Sequence, residues 1–384
     1  MDSNEKLPVL VTCARGVASW LADEIKQLGF PANGVMESGV RTTASLNDCM
    51  KLNLELRTGH RVLLQIAELR ARDATMLYEK VVRLPWPDWI HPTGHLCITS
   101  SVENETIRDS RFANLKCKDA IVDAMVRDAG QRPDSGSDRT GMVVHLHWSG
   151  EFATLYLDTS GEPLSKRGYR KIPLEAPMQE TLAAACIRAS GWNGESSFVN
   201  PMCGSGTIAI EAALVALNRA SGLTRGNFGF MHLKGFDGKL WQELFQNAKS
   251  RTTDRKTKII ATDNRPGAVE AAKMNAAAAG VADAIEFGVC DYRATKLPEP
   301  PGVIMLNPEY GVRMGDEAAL APLYKEIGDF FKQSCAGYFG YVFTGNLRLA
   351  REIGLRSKRR LTLYNGAIEC RLLEFELYAG TRNP

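Results

Sequence analysis

The stretch Phe198-Val199-Asn200-Pro201-Met202-Cys203-Gly204-Ser205-Gly206-Thr207 decides the fold. Phe198 and Val199 read as the end of a buried strand. The glycines read as a turn, and Ile208 to Asn218 as a helix with Ile210, Ala213, Leu214 and Leu217 on one face. Strand, glycine turn and helix make a ligand cradle, because glycine admits close approach to the backbone and a helix N-terminus offers unpaired N–H groups. The third glycine of a dehydrogenase fingerprint is missing, which disfavours a nicotinamide site.

Downstream, the pattern continues as alternating strands and helices. Ser221 to Thr257 is an insertion rich in glycine and aromatics, and Lys258 to Ala261 is the second strand, ending at Asp263. An acid there suits a ribose diol, although the insertion lengthens the usual spacing. Pro266 to Ala279 is a helix opened by proline, and Ala284 to Val289 is a third strand followed by Cys290-Asp291. Asp291 suits an adenine amine. Each aspartate alone has a cap or turn role as its bland alternative. Val303 to Leu306 is a fourth strand, and its tip carries Asn307-Pro308-Glu309-Tyr310. The Asn307 side-chain carbonyl and the Pro308 backbone carbonyl can accept the two hydrogens of an exocyclic amine, and Tyr310 can stack on the base. Leu323 to Cys335 and Leu347 to Ile353 are helices, Tyr338 to Phe343 a strand, and Leu361–Tyr364 with Arg371–Tyr378 an antiparallel pair.

Upstream, Leu7 to Thr12, Gly39 to Ala44 and Arg61 to Leu69 read as strands alternating with two helices, a small module ending near residue 70. Ser110 to Ala129 reads as a long helix with Phe112, Leu115, Ile121 and Met125 inward. Val143, His145 and His147 open a hairpin that returns through Ala153, Leu155 and Leu157. The two histidines lack ligand partners in sequence, which favours a structural or RNA-facing role over metal. Lys166-Arg167-Gly168-Tyr169-Arg170-Lys171 then gathers four cations around one aromatic, a composition suited to phosphates and a stacked base or to a solvated linker. A domain boundary is placed near residue 160.

The chain has 384 residues, 44% of them hydrophobic and 24% charged, ordinary globular values. No apolar run approaches the ~18 residues of a membrane span. The polar start is not a secretory signal, and nine scattered cysteines, none in a C-x-x-C pair, indicate neither a disulfide framework nor a zinc site. A cytoplasmic protein without metal is expected. The first 164 residues carry 18 basic against 22 acidic side chains, and the rest 29 against 22, so any nucleic-acid footprint lies in local patches.

Taken together, these motifs resemble those of the bacterial THUMP-domain 23S rRNA guanine-N2 methyltransferase family, whose members are often labelled N6-adenine-specific DNA methylases. The likeness is carried by Ala14-Arg15-Gly16, Lys166 to Arg170, Pro201 to Thr207, Thr262-Asp263-Asn264, and Tyr364-Asn365-Gly366 through Cys370-Arg371-Leu372. It implies a ferredoxin-like module over residues 1–68, a THUMP RNA-binding domain over 69–160, and an S-adenosylmethionine-dependent domain over 161–384. That last domain would be an α/β, Rossmann-like class I methyltransferase: a mostly parallel seven-stranded sheet with an antiparallel C-terminal hairpin. Its implied cofactor residues are Asn200, Pro201, Cys203, Gly204, Ser205, Gly206, Thr207, Asp263, Asn264 and Asp291. The implied catalytic residues are Asn307, Pro308 and Tyr310, and the implied RNA contacts Lys166, Arg167, Tyr169, Arg170 and Lys171. The implied activity is methylation of guanine N2 in 23S rRNA. Guanine in tRNA, adenine N6 in DNA, and a non-catalytic RNA-binding assembly factor are the alternatives. Two positions depart from the family pattern: Asn200 stands where aspartate is usual, and Glu309 where the second proline of Asn-Pro-Pro-Tyr is usual.

Overall fold

The computed structural model describes residues 2–107, 109–174, 177–311 and 316–379. It divides into two compact units. The first comprises Met1–Cys13, Leu21–Leu164 and Arg225–Asn247, and the second Ala14–Trp20, Ser165–Thr224 and Ala248–Pro384.

The first unit is built on one eight-stranded sheet. In chain order its elements are β1 (Leu7–Thr12), α1 (Ala18–Gln27) from Leu21 onward, β2 (Gly34–Met36), β3 (Gly39–Ala44), α2 (Leu46–Glu55), β4 (Arg61–Arg70), α3 (Ala74–Val81), β5 (His95–Glu103), α4 (Ser110–Ala129), β6 (Asp134–Ser135), β7 (Met142–Ser149) and β8 (Phe152–Asp158). The strand order is β2-β3-β1-β4-β8-β7-β5-β6. The ten-residue β4 pairs antiparallel with β1 on one side and β8 on the other. It therefore makes one continuous hydrogen-bonded sheet of the two patterns seen in sequence. The predicted hairpin is present, with Val144 opposite Leu157 and Leu146 opposite Leu155.

Helix α4 corrects an expectation. Ile121 and Met125 are buried as predicted, but Phe112 and Leu115 are 46% and 49% exposed. The covered face of that first turn is made by the smaller Ala113 and Cys117, continuing into Ala120, Ile121 and Ala124.

The second unit holds α5 (Glu180–Ser190), β9 (Ser197–Pro201), α6 (Thr207–Ala216), the end of α7 (Gly238–Ser250), β10 (Ile259–Asp263), α8 (Pro266–Ala279), β11 (Glu286–Val289), β12 (Gly302–Leu306), α9 (Asp316–Ser334), β13 (Tyr338–Thr344), α10 (Leu347–Glu352), β14 (Arg359–Asn365) and β15 (Ile368–Glu376). Its sheet runs β11-β10-β9-β12-β13-β15-β14. The first five strands pair in parallel, and β15 runs antiparallel between β13 and β14. From β9 the chain adds β10 and β11 on one side, then crosses to β12 on the other. The gap between β9 and β12 is thus the topological switch point, where open α/β sheets receive ligands beyond their carboxyl edge. Helix α9 begins earlier than the Leu323 expected, because it accommodates Pro322 inside.

The aromatic insertion contains helix α7, which the sequence reading missed, and most of it belongs to the first unit. The Phe228 and Phe230 rings stack at 5.1 Å, and Trp241 meets both edge-on at 5.4 and 5.0 Å. The Arg225 guanidinium lies 4.7 Å from the Phe228 ring centroid and donates to the Pro163 and Glu162 carbonyls at 2.8 and 3.0 Å. Gly229 approaches the Asp158 carbonyl so closely that no side chain fits there. Among the described residues, no helix is long and apolar enough to cross a membrane.

Candidate active site

At the end of β9 the chain turns through three left-handed residues, Met202 (φ 58°), Gly204 (φ 53°) and Gly206 (φ 84°). Gly206 is required twice over. Its φ suits glycine, and a Cβ would lie 2.8 Å from the Cβ of Ala272 on α8. Gly204 differs: a Cβ there would meet nothing within 4 Å. Its left-handed conformation favours glycine, while the space over it is open to a ligand. The Cys203 N–H donates to the Thr262 carbonyl at 2.9 Å, and the Gly204 N–H to Asp263 Oδ2 at 2.9 Å. Asp263, 5% exposed, also accepts the Arg265 N–H through Oδ1 at 3.0 Å. Its carboxylate thus ties the β10 tip to the glycine turn, and a ribose diol would share oxygens already engaged there. Burial foremost, and then Asp263, push the Cys203 thiol up to about 12, so it stays neutral.

Asn200 is buried inside β9. Its Nδ2 donates to the Met305 carbonyl of β12 at 2.8 Å, while its Oδ1 is buried without a partner. This gives the first family departure a physical meaning, since an amide can donate to that carbonyl and an ionised aspartate cannot. Asn307, just past β12, likewise has a buried Oδ1 without a partner. An orphaned buried acceptor is costly, and two at one sheet edge mark a place built for donors. Val199 lies opposite Ile304 in the β9–β12 register and Thr262 opposite Pro201 in β10–β9. Neighbouring strands are about 5 Å apart, so the Asn307 tip, the glycine turn and the Asp263 tip stand side by side.

The other predicted site residues fall around this edge. Pro308 is buried, Glu309 and Asn264 are exposed, and Tyr310 is half-buried. Thr207 opens α6 and Ser205 precedes it in the turn. Asp291 caps the short turn after β11, and Arg293 holds its two oxygens at 2.8 and 3.0 Å. The guanidinium hydrogen bond keeps its carboxyl below the usual range. His145 sits in β7 with Nδ1 2.9 Å from Thr99 Oγ1, and no metal-binding cluster occurs among the described residues.

The basic run requires a correction. Arg167 and Tyr169 are each 1% exposed, so neither is available to RNA. Arg167 Nε and Nη2 clasp Glu211 of α6 at 2.8 and 3.2 Å, and the Tyr169 hydroxyl donates to the same carboxylate at 3.0 Å. Burial alone would weaken the guanidinium's hold on its proton, but the carboxylate outweighs it and raises its pKa. Arg170 donates to Glu180 Oε1 at 3.0 Å, the Met178 carbonyl at 2.8 Å and Thr207 Oγ1 at 3.3 Å. Lys166 and Lys171 are exposed. The Lys171 N–H donates to Asn275 Oδ1 at 2.7 Å, and Asn275 Nδ2 donates to the Ser205 carbonyl at 3.1 Å. The run therefore buckles the base of the glycine turn. Sequence reasoning missed Glu211 and Asn275. Glu211 had a signal: it is the lone charge in a helix otherwise apolar all round.

The strand order, the switch point and the glycine turn define a Rossmann-like class I methyltransferase domain. Comparison with known proteins agrees. Residues 167–374 match the model described as "RMKL-like, methyltransferase domain", residues 9–63 the RlmL ferredoxin-like domain, and residues 71–158 the THUMP domain. The chain belongs to the RMKL-like methyltransferase family. It is 34% identical over 97% of its length to ribosomal RNA large subunit methyltransferase K/L of Marinomonas sp., of which it spans 53%. It is 35% identical to a Synechocystis sp. protein provisionally named an RNA methyltransferase, with 97% of each chain covered. The crystal structure of SMU.472, provisionally a methyltransferase and complexed with SAH, superposes with a TM-score of 0.88 at 26% identity, covering 99% of this chain and all of that one. The chain thus spans about half the length of the curated K/L relatives it matches.

Proposed function

We propose that this protein transfers a methyl group from S-adenosylmethionine to the exocyclic N2 amine of a guanine in 23S rRNA. The observation that carries the proposal is the placement of Asn307-Pro308-Glu309-Tyr310 beside the glycine turn at the switch point, with the Asn307 acceptor unpartnered. The orphaned acceptor on Asn200 and the open space over Gly204 fit a ligand that brings its own donors.

When bound, S-adenosylmethionine supplies a methyl group on a positively charged sulfur, an electrophile that needs no further activation. The Gly204-Ser205-Gly206 backbone and Asn200 would hold its methionine end, Asp263 the ribose and Asp291 the adenine. The chain's task at the target is positioning. Asn307 and the Pro308 carbonyl accept the two amine hydrogens, which favours a pyramidal nitrogen with its lone pair free and aims that lone pair at the methyl. Tyr310 stacks on the base. The amine lone pair would form the new N–C bond while the electron pair of the broken bond stays on the sulfur, and the amine would then release one proton to water.

Glu309 favours guanine over adenine. Guanine presents an N1–H donor beside its amine, which a carboxylate accepts, whereas adenine presents an N1 lone pair that a carboxylate repels. The THUMP match in the first unit favours RNA. Incubation with labelled S-adenosylmethionine and, separately, 23S rRNA from a strain lacking the protein, tRNA, and DNA tests the proposal. Label is expected in 23S rRNA, and label confined to tRNA or DNA, or none, contradicts it.

A further inference from the structure

Two motifs of the sequence have no role so far, Ala14-Arg15-Gly16 and Tyr364-Asn365-Gly366. In the second unit they meet at edge strand β14. The Arg15 guanidinium lies 4.2 Å from the Tyr364 ring centroid. The Tyr364 hydroxyl donates to Glu369 Oε2 at 2.7 Å, and Arg371 Nη2 holds the other oxygen of that carboxylate at 2.8 Å. Gly16 (φ 84°) presses on the Thr362 carbonyl with no room for a side chain. The tip of the β14–β15 hairpin is thus fastened along its outer strand.

From that tip Asn365 reaches Tyr310, where its Nδ2 donates to the phenol oxygen at 3.2 Å. The ring of Tyr310 rests on Gly345, just past β13: a Cβ at 345 would lie 2.9 Å from ring Cε2 and 3.0 Å from Cδ2. The same Cβ would lie 3.0 Å from Cγ2 of Ile368, on β15. The ring is therefore fixed through its hydroxyl and along one edge.

We propose that Asn365 is the positioning residue for Tyr310, setting the plane in which the target base stacks, with Gly345 supplying the clearance and the Arg15–Tyr364 pair steadying the tip. This rests on the reading of Tyr310 as the stacking residue. A pre-set ring loses little freedom when a base arrives, so the base is oriented as it binds. A ring released from Asn365 would bind the base in several planes, and the amine would meet the methyl in only some of them.

The test is a double-mutant cycle in the full-length protein, with Asn365→Leu and Tyr310→Phe alone and combined. Single-turnover methylation of 23S rRNA from a strain lacking the protein is read beside SAH affinity. Asn365→Leu is expected to slow methyl transfer about tenfold, with SAH affinity within about twofold, and to change the rate less than twofold when Tyr310 is already Phe. An equal loss in both backgrounds, no loss in either, or a parallel loss of SAH affinity would overturn the proposal. Fluorine NMR of protein carrying 3-fluorotyrosine, with the Tyr310 signal assigned from Tyr310→Phe, provides an arm independent of activity. A single narrow Tyr310 resonance that shifts or broadens in Asn365→Leu is expected, and an unchanged resonance overturns the proposal. Should the wild type transfer no methyl to RNA, the functional reading fails, and the fluorine signal alone decides whether Asn365 holds the ring.

Discussion

The Asn200 side chain donates to the Met305 carbonyl at 2.8 Å, binding β9 to the parallel β12 across the gap where the strand order reverses. Both strands end in candidate site residues, so this bond sets the spacing between the glycine turn and the Asn307 tip. Asn200→Asp places a carboxylate against that carbonyl. The expected cost is about 1–3 kcal/mol of stability at neutral pH. A protonated aspartic acid can donate in place of the amide, so the folded-state pKa of the new group rises. Its stability deficit should therefore shrink as pH falls, which denaturant melts at pH 7 and pH 5 would read. A variant as stable as wild type at both would refute the strand-tying role.

Arg167 and Glu211 form a buried bidentate pair, and removing one partner strands the other charge. Arg167→Met should destabilise the protein by about 3–5 kcal/mol. Chemical denaturation checks this. A variant of unchanged stability with weakened RNA binding would restore the RNA-contact role that burial excludes.

Asn275 joins the Lys171 backbone to the Ser205 carbonyl below the glycine turn. Asn275→Ala removes these bonds and should weaken SAH binding about tenfold, roughly the worth of one or two hydrogen bonds. Asp263→Ala, which frees the Gly204 N–H, should weaken it at least as much. Calorimetry reads both, and unchanged affinity in either would detach that residue from the cofactor site.

His145 is held down to about 4 by burial foremost, with Arg61 and other cations adding to it. Its folded pKa lies below the unfolded value, so the unfolded state binds more protons in between. The stability tied to this group is full above about pH 6.5 and declines as pH falls toward 4, by at most about 1.4 kcal/mol per pH unit. Thermal melts across pH 7 to 5 should fall more steeply for wild type than for His145→Gln, and parallel curves would contradict this.

Much of this architecture was legible because strand and helix periodicities are strong in β9 to β13, and the glycine turn marks its own function. What stayed hidden depends on tertiary partners. Arg167 and Tyr169 look like surface cations with an aromatic until Glu211, more than forty residues on, claims them. Phe112 and Leu115 fall at helical spacing, yet the small Ala113 and Cys117 form the packed face. Helix α7 carried a signal in Trp241, Leu244 and Ala248, masked by the glycines before it. Asn365 and Gly345 had none, since their meaning is the ring of Tyr310 between them.

The most direct test is nucleoside mass spectrometry of 23S rRNA from a strain lacking the protein, after incubation with S-adenosylmethionine and either the wild type or Asn307→Ala. N2-methylguanosine is expected with wild type, and about a hundredfold slower formation with Asn307→Ala, in line with the loss of one positioned partner at a reacting group. Methylation at another atom or base, or Asn307→Ala working as fast as wild type, would contradict the account.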